Sequence, residues 1–251
     1  MYMGRVGSSS ESEIVRELHG ARVVLTGLSA TSGVDVVRAF ADIKARLVIH
    51  TTDLSPEVTA LIALVSQTAS EIKLYTDPLA DADAAVRFAQ GAAKAYGGLD
   101  AVINLASISA ADMTGIASED SVESLVSSKL TPLAHLTGVT ANRMRVVLNE
   151  GMILNVLTLP HARNGREMAI TSYARAALAA MTKSEAQTWA PQGIRVNAVG
   201  PRVMATGGHS EGACLTNEPD IAALAIYLAS RRGRGLSGHV FDSDGIALRG
   251  E

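Results

Sequence analysis

Short apolar segments alternate along this chain with longer segments in which apolar residues recur at helical spacing. Most of the apolar segments lack strict apolar/polar alternation, which is typical of strands covered on both faces of a parallel sheet. The predicted strands are 21–26, 46–51, 72–76, 99–106, 152–158, 194–200 and 238–242. The predicted helices are 33–44, 56–69, 80–96, 119–142, 171–190 and 219–230. This order predicts an α/β fold, a doubly wound parallel seven-stranded sheet in a three-layer sandwich.

Two of the predicted helices begin with recognisable start signals. The segment Ser55-Pro56-Glu57 offers a capping side chain followed by a proline in the first turn. The segment Glu218-Pro219-Asp220 repeats that arrangement before the last helix. We therefore expect helices to start at these two places.

The composition favours one folded domain. Of the 251 residues, 47% are hydrophobic and 19% are charged, which excludes a disordered chain. No linker rich in Pro or Gly interrupts the strand and helix pattern, so residues 20–251 are predicted to form a single domain. Residues 1–19 begin with a stretch rich in Ser and Glu and are predicted to be a flexible arm.

Charge and local composition argue against several partners. A net charge of −3 gives no basic footprint for nucleic acid. The longest uncharged run, 58–70, is shorter than the roughly 20 apolar residues that cross a bilayer, so no membrane partner is expected. The histidines lack metal-ligand spacing, so no metal is expected. The lone Cys214 cannot form an intrachain disulfide and the first residues lack a secretion signal, which predicts a cytoplasmic location.

The loop after the first predicted strand carries glycines at a position associated with nucleotide binding. It reads Thr26-Gly27-Leu28-Ser29-Ala30-Thr31-Ser32-Gly33 and opens the first predicted helix. Backbone N–H groups and the positive end of a helix favour a bound pyrophosphate at such a position. A tight turn that packs the helix on the strand and binds nothing explains the same glycines, and both explanations stay open on the sequence.

Motifs from about residue 20 to residue 248 carry a resemblance to a known family. Thr26, Gly27 and Gly33 match a Thr-Gly-x-x-x-Gly-x-Gly loop whose middle glycine is Thr31 here. Further matches are Asp77 after strand three, the turn Asn104-Leu105-Ala106-Ser107, the stretch 190–202 with Pro201, and the stretch 237–245. Together they resemble the short-chain dehydrogenase/reductase family, in particular its 3-oxoacyl-ACP reductase-like members. The resemblance implies a Rossmann fold and hydride transfer between a nicotinamide and a carbonyl or alcohol.

The resemblance places the family's catalytic Asn, Ser, Tyr and Lys on four substituted positions. Anchored on the run 176–189, the tyrosine position is Thr171 and the lysine position is Arg175. The serine position is Thr158, which precedes Thr171 by thirteen residues, the family's usual distance. The asparagine position is Lys129. All four positions of the family's catalytic set therefore differ in this chain.

These substitutions differ in their chemical effect. Thr158 still donates and accepts hydrogen bonds as a serine does. Thr171 removes the phenol, and an aliphatic hydroxyl does not ionise in the range where a catalytic acid works. Arg175 keeps a positive charge, but its planar fork does not reproduce the contacts of a lysine. Tyr173 lies two residues beyond Thr171 and points to nearly the opposite side of a helix, so we do not expect it to replace the missing tyrosine.

The resemblance implies NAD or NADP as cofactor, and the sequence favours NAD. Thr51 stands where an acidic residue usually selects NAD, and no Arg or Lys lies nearby to receive the phosphate of NADP. Asp53 can serve the ribose instead. Thr31 crowds the approach to the pyrophosphate, so binding is expected to be weak or lost. The expected cofactor-binding residues are Gly27, Ser29, Thr31, Ser32, Gly33, Asp53, Asp77, Asn104, Ala106 and Pro201.

Two further departures bear on function. The segment between Pro201 and Pro219 is shorter than the family's usual lid, so an open site is expected. Lys129 and Arg175 would bind an anion if both faced the old active site. Pairing with solvent, Glu150 or Glu167 is the favoured explanation for the two cations.

Two hypotheses about function follow. The leading one is a pseudoenzyme that binds a dinucleotide weakly or serves as an oligomeric partner of an active paralogue. The alternative is an active NAD(P)-dependent oxidoreductase with rewired residues, in which Thr158 works with Tyr173 or His161 as the proton donor. The resemblance also implies a homodimer or homotetramer formed through 119–142 and 171–190.

Overall fold

A computed structural model describes residues 13–116, 118–203, 215 and 217–243 of the chain. Within these residues the strands are β1 (Arg22–Thr26), β2 (Arg46–His50), β3 (Glu71–Tyr75), β4 (Ala101–Ser107), β5 (Gly151–Thr158), β6 (Ile194–Pro201) and β7 (Val240–Ser243). They form one sheet with the order β3-β2-β1-β4-β5-β6-β7, and all neighbouring strands are parallel. The predicted doubly wound, seven-stranded parallel sheet is confirmed.

Helices cover both faces of this sheet. They are α1 (Val34–Asp42), α2 (Pro56–Val65), α3 (Ala82–Tyr96), α4 (Ala110–Met113), α5 (Glu119–Val146), α6 (Gly165–Trp189) and α7 (Glu218–Ala229). One hydrophobic core lies between α1, α2 and α7 and one face of the sheet. Two further clusters lie between α3, α5 and α6 and the other face. Because both faces are covered, the central strands are mainly apolar and do not alternate strictly between apolar and polar residues.

The order of the strands creates a crevice at the carboxyl edge of the sheet. The chain winds outward from β1 through β2 to β3 and then returns to place β4 on the other side of β1. Thr26 at the end of β1 lies opposite Asn104 in β4. Helices leave the sheet in opposite directions at this switch point, and ligands of doubly wound folds bind in the crevice that this opens.

The two predicted helix starts have different outcomes. The Ser55 hydroxyl accepts a hydrogen bond from the Val58 N–H at 3.4 Å and Pro56 is the first residue of α2, as expected. At α7, however, the capping residue is Asn217, whose side chain accepts from the Asp220 N–H at 2.9 Å. The short asparagine side chain reaches the third amide of the helix. Glu218 is therefore free of the capping role and is the first residue inside α7.

The largest boundary error concerns α6, which starts at Gly165 and not near 171. The Asn164 side chain caps it by accepting from the Glu167 N–H at 3.0 Å. The polar composition of this first turn concealed it, because the turn carries no apolar period of its own. The short helix α4 was also not predicted.

The boundary expected for the flexible arm needs correction as well. Residues 13–18 are helical, and Leu18 is only 5% exposed in the core. Glu17 accepts a hydrogen bond from the Arg231 N–H at 2.6 Å. This docking against the turn that follows α7 orders the chain before residue 20. Residues 1–12 of the expected arm lie outside the described residues.

Other expectations fall partly outside the described residues. Residues 204–214 and 216 lie outside the described residues, and they include most of the expected shortened lid and Cys214. Among the helices that are described, none is long and apolar enough to cross a membrane. The described part of the chain contains no cluster of three or more His, Cys, Asp or Glu side chains placed to hold a metal ion.

Candidate active site and cofactor cleft

The loop after β1 is pressed against β4, and two glycines make this possible. Gly27 has a φ of 78°, and a Cβ atom there would collide with the backbone carbonyl of Leu105. Gly33 has a φ of 86°, and a Cβ atom there would meet the side chains of Leu105 and Leu28. Only glycine combines this left-handed conformation with so close an approach. The glycines therefore hold the loop on the sheet whether or not a nucleotide binds.

The loop uses its own backbone donors internally. The Ser29 N–H donates to the Ser32 carbonyl at 2.9 Å, and the Ser32 N–H donates back at 3.4 Å. The Thr31 N–H donates to the Ser29 hydroxyl at 3.3 Å. The Ala30 N–H donates to a carboxylate oxygen of Asp53 at 2.8 Å. A phosphate can therefore bind these amides only by replacing contacts within the chain.

Asp53 lies at the outer side of the loop and binds it directly. Its second oxygen accepts from the Ser55 N–H at 2.9 Å. These two backbone hydrogen bonds, from Ser55 and then Ala30, hold the pKa of Asp53 below its usual value. Thr51 supports the same loop, because its hydroxyl donates to the Leu28 carbonyl at 2.6 Å. Asp53 thus keeps a negative charge beside the loop, two residues beyond Thr51.

A cavity of about 330 Å³ opens at the switch point between β1 and β4. We call it the switch-point cavity. Of the expected cofactor residues, it is lined by Gly27, Ser29, Ser32 and Ala106. Lys129 from α5 also lines it, and its ammonium group lies 3.3 Å from a carboxylate oxygen of Asp112. The cavity therefore has glycine-loop backbone on one wall and a cation on the other, which suits part of a nucleotide.

The partner of Lys129 corrects one sequence expectation. The favoured pairings were solvent, Glu150 or Glu167, but the observed partner is Asp112 in α4. Burial raises the pKa of Asp112, but hydrogen bonds from Ser109 and the charge of Lys129 outweigh it, and the net pKa lies below the usual value. The short helix that carries Asp112 was not predicted, so this pairing was invisible in the sequence.

Asn104 does not face the cleft, contrary to its place among the expected cofactor residues. It is fully buried, and its amide accepts from the Thr26 hydroxyl at 3.0 Å and donates to Asn155 at 2.9 Å. Asn155 continues the chain of hydrogen bonds to Thr137 in α5 at 3.1 Å. This buried polar network connects β1, β4, β5 and α5. The side chain of Asn104 therefore stabilises the sheet, because a buried amide needs all its partners within the protein.

Asp77 contributes through its backbone. Its carbonyl accepts from Nε2 of His50 at 2.9 Å, while the residue itself is exposed. Since a carbonyl only accepts, Nε2 carries the proton, and the buried Nδ1 of His50 has no hydrogen-bond partner. Burial lowers the pKa of His50 despite the favourable contact with Asp77. His50 lines the switch-point cavity and was not singled out in the sequence.

A second cavity, of about 210 Å³, lies beyond the ends of β5 and β6. We call it the His161 cavity. It is lined by Leu159, Pro160, His161, Ala162, Met168, Thr171, Ser172, Pro201, Arg202, Val203 and Ser243. The Thr171 hydroxyl donates to the Glu167 carbonyl at 2.8 Å, one turn back in α6. Thr171 therefore forms part of the cavity wall while its proton is engaged with the helix backbone.

Of the four positions that the resemblance assigns to the family's catalytic set, three line different cavities and the fourth, Arg175, pairs with β7. Thr171 lines the His161 cavity, and Lys129 lines the switch-point cavity. Thr158 is 7% exposed and lines a narrow cleft of about 20 Å³ beside the glycine loop. Arg175 points to β7, where it lies 2.6 Å from Asp242 and donates to the Val240 carbonyl at 3.2 Å. Arg175 therefore also lacks the expected partners Glu150 and Glu167.

The two residues considered as substitute proton donors are placed differently. Tyr173 is 41% exposed and is absent from the lining of the His161 cavity. His161 lines that cavity together with Thr171 and Ser172. Because residues two apart on a helix point in nearly opposite directions, α6 turns Tyr173 away as expected. His161 follows β5 directly, which is why it reaches this edge of the sheet.

A parallel seven-stranded sheet with a glycine loop at its switch point defines an α/β protein of the dinucleotide-binding type. A family model described as short chain dehydrogenase matches residues 21–212. The chain belongs to the short-chain dehydrogenase/reductase family. Membership implies a nicotinamide dinucleotide, NAD or NADP, as the cofactor.

Named relatives extend over nearly the whole chain. Momilactone A synthase of Oryza sativa subsp. japonica is 28% identical, over 95% of this chain and 94% of that protein. Galactitol 2-dehydrogenase of Agrobacterium fabrum is 25% identical, over 91% of this chain and 97% of that protein. A short-chain dehydrogenase/reductase from Serratia marcescens, a solved structure, has a TM-score of 0.71 at 18% identity, over 91% and 98% of the two chains. This last likeness shows the shared fold.

Proposed function

We propose that this protein is an NAD(P)-dependent oxidoreductase that transfers a hydride between a nicotinamide and a carbonyl or alcohol. Family membership supports this reaction class, and the relatives named above bear the names of enzymes. The observation that carries the proposal is His161 beside Thr171 in a cavity at the carboxyl edge of the sheet. An active oxidoreductase therefore replaces the pseudoenzyme as the leading hypothesis, because neither the family match nor the named relatives support a pseudoenzyme.

The proposal assigns distinct tasks to the residues of this chain. When bound, the cofactor supplies or accepts the hydride. The walls of the switch-point cavity, Ser29, Ser32 and Lys129, would hold its polar groups. His161 would give or take the proton at the substrate oxygen, because an imidazole can act as a general acid or base and an aliphatic hydroxyl such as that of Thr171 cannot. The apolar wall around Leu159 and Met168 would exclude water from the reacting carbon.

A kinetic screen tests this role for His161. The purified protein is assayed with NADH and NADPH against aldehydes and ketones, and with NAD and NADP against alcohols. We expect turnover that falls about 100-fold or more in His161→Asn, the usual contribution of a general acid or base. Tyr173→Phe is the matched control and should leave turnover unchanged. Equal activity of wild type and His161→Asn would remove His161 from the mechanism.

We propose further that the cofactor is NAD and that Asp53 selects it. The carboxylate of Asp53 remains charged beside the glycine loop and would repel the phosphate of NADP, while its remaining lone pairs can accept from ribose hydroxyls. Asp53→Ser should narrow the difference in affinity between NAD and NADP. Asp83→Asn, an exposed acid at the start of α3, is the control. Unchanged selectivity in Asp53→Ser would contradict the assignment.

A non-catalytic role is the second candidate, and one observation favours it. Arg175 is paired with Asp242, and the Thr171 hydroxyl is engaged with Glu167, so neither group is placed as the family's chemistry requires. Such a protein would bind a dinucleotide or assemble with an active paralogue. It predicts no turnover for the wild type in the screen above. Recovery of turnover in the double variant Thr171→Tyr, Arg175→Lys would then support the non-catalytic role.

We also propose a homodimer or homotetramer that assembles through α5 and α6. Family resemblance supports this, and Val146 and Tyr173 expose apolar surface on these two helices. Light scattering should give two or four times the chain mass of 26.1 kDa. A monomer at micromolar concentration would contradict the proposal.

A further inference from the structure

A carboxyl group from the last helix lies at the start of the first one. Glu218, the first residue of α7, lines a narrow cleft at the start of α1 together with Gly33, and the nearby N–H groups of Gly33, Val34 and Asp35 favour its ionised form and so lower its pKa. These are among the amides that begin α1, and Gly33 as the capping residue offers them no side chain of its own. The N-terminus of a helix attracts anions through such unpaired amides and through the helix dipole. Glu218 therefore supplies the anion that this helix end favours.

The same place is where the fold would hold a cofactor phosphate. The start of the first helix after the glycine loop is the pyrophosphate position of dinucleotide-binding folds. The cleft there is about 20 Å³, roughly the room that one water molecule needs. Glu218 lines this cleft together with Thr31, Ser32 and Gly33. The Glu218 side chain therefore narrows the space at the start of α1 that a phosphate would enter.

The contacts of Glu218 are incomplete. Its Oε1 atom is buried and has no hydrogen-bond partner. Asp35 faces Glu218 and also has a buried carboxylate oxygen without a hydrogen-bond partner. Burial and the charge of Asp35 raise the pKa of Glu218, although the three backbone N–H groups favour its ionised form. A competing anion with more oxygens would therefore satisfy this helix end better than Glu218 does.

The side chain can leave without unfolding its helix. Asn217, and not Glu218, caps α7 by accepting from the Asp220 N–H at 2.9 Å. The hydrophobic contacts that hold α7 on α1 come from Ile221, Ala222, Ala225 and Leu228, which are all buried. A rotation about the side-chain bonds of Glu218 would open the start of α1 while both helices stay in place.

We propose that Glu218 is a built-in competitor of the dinucleotide, and that the cofactor binds only when the Glu218 carboxylate leaves the start of α1. This inference rests on the cofactor binding in the proposed function. Its carboxylate occupies the space beside the amides that a phosphate would contact, so it lowers the affinity of the cleft for dinucleotides. Ligands without phosphate that bind only in the switch-point cavity are not affected by it.

Direct binding measurements test the proposal without any need for turnover. Calorimetry with NADH is performed on the wild type, Glu218→Gln and Glu218→Ala. We expect the Kd to fall by about ten-fold or more in both variants, equivalent to 1.4 kcal/mol at 25 °C. Glu119→Gln, an exposed acid in the first turn of α5, is the control and should bind as the wild type does. Adenosine, which has no phosphate, should bind equally to all four proteins.

The possible outcomes distinguish failure of the competitor role of Glu218 from failure of cofactor binding. Equal affinity for NADH in the wild type and both Glu218 variants would overturn the competitor while leaving cofactor binding intact. No binding by any of the proteins would overturn both. The thermal unfolding midpoint of each variant shows whether it is folded, and Glu218→Gln keeps the shape of the side chain if Glu218→Ala is unstable.

Discussion

The guanidinium group of Arg175 in α6 lies 2.6 Å from the carboxylate of Asp242 in β7. It also donates to the backbone carbonyl of Val240 at 3.2 Å. The position that the family resemblance assigns to the catalytic lysine thus ties α6 to β7. Its charge is used within the protein, which explains why an arginine fork suits this place better than a lysine.

Loss of this ion pair should destabilise the protein. In Asp242→Asn the half-buried guanidinium loses its charged partner, while one of its nitrogens already lacks a hydrogen bond. We expect the free energy of unfolding to fall by about 1 kcal/mol in urea titrations. Glu71→Gln removes the exposed ion pair with Lys73. It should lower the free energy of unfolding by less than about half of the loss expected for Asp242→Asn. Equal losses would show that the Arg175–Asp242 ion pair stabilises the protein no more than the exposed pair does.

Two glycines with the same backbone conformation should respond differently to substitution. Gly27 and Gly20 have φ values of 78° and 73°, but a Cβ atom at Gly20 would meet no atom within 4 Å. Gly20→Ala should cost about 1 kcal/mol, the strain of the left-handed conformation alone. Gly27→Ala adds a collision with the Leu105 carbonyl and should cost more than about 2 kcal/mol. Equal costs in thermal unfolding would mean that the loop does not press on β4.

His50 should make the protein sensitive to mild acid. Burial holds its pKa below the ordinary value of 6.5, so the unfolded chain takes up a proton at a pH where the native protein does not. The free energy of unfolding should therefore decrease as the pH falls below about 6.5, by at most about 1.4 kcal/mol per pH unit. His50→Gln should flatten this slope, whereas His135→Gln, at an exposed position, should not. An unchanged slope in His50→Gln would show that another group causes the dependence of the free energy of unfolding on pH.

Glu218 should have the opposite effect on stability. Its native pKa is raised above the ordinary 4.5, so its stabilising contribution is full below pH 4.5 and is lost as the pH rises through the native pKa. Asp35 faces the same helix end, and Arg38 lies 3.8 Å from Asp35. At pH 7 we expect Glu218→Gln to be more stable than the wild type, and Glu119→Gln to be unchanged. A less stable Glu218→Gln would indicate that the contacts with α1 outweigh the burial of the charge.

Local pattern was enough to find the strands and the glycine loop. The run that contains β5 was predicted to within one residue, because a strand covered on both faces is mainly apolar. The start of α6 at Gly165 was missed, because its first turn is polar and is held by the Asn164 cap. The register that places the tyrosine position at Thr171 stays a prediction, because Thr171 and Thr158 line different cavities.

The sequence by itself determined the sheet and its switch point, since these depend on residue types and short-range periodicity, while the loss of the phenol at Thr171 stays a prediction from the family resemblance. Only the tertiary structure showed that Asn104 is buried in a polar network, that Arg175 pairs with Asp242 and that Glu218 reaches the start of α1. These partners lie far apart along the chain. They meet only because the helices pack on the two faces of a twisted sheet, and no local pattern encodes such long-range contacts.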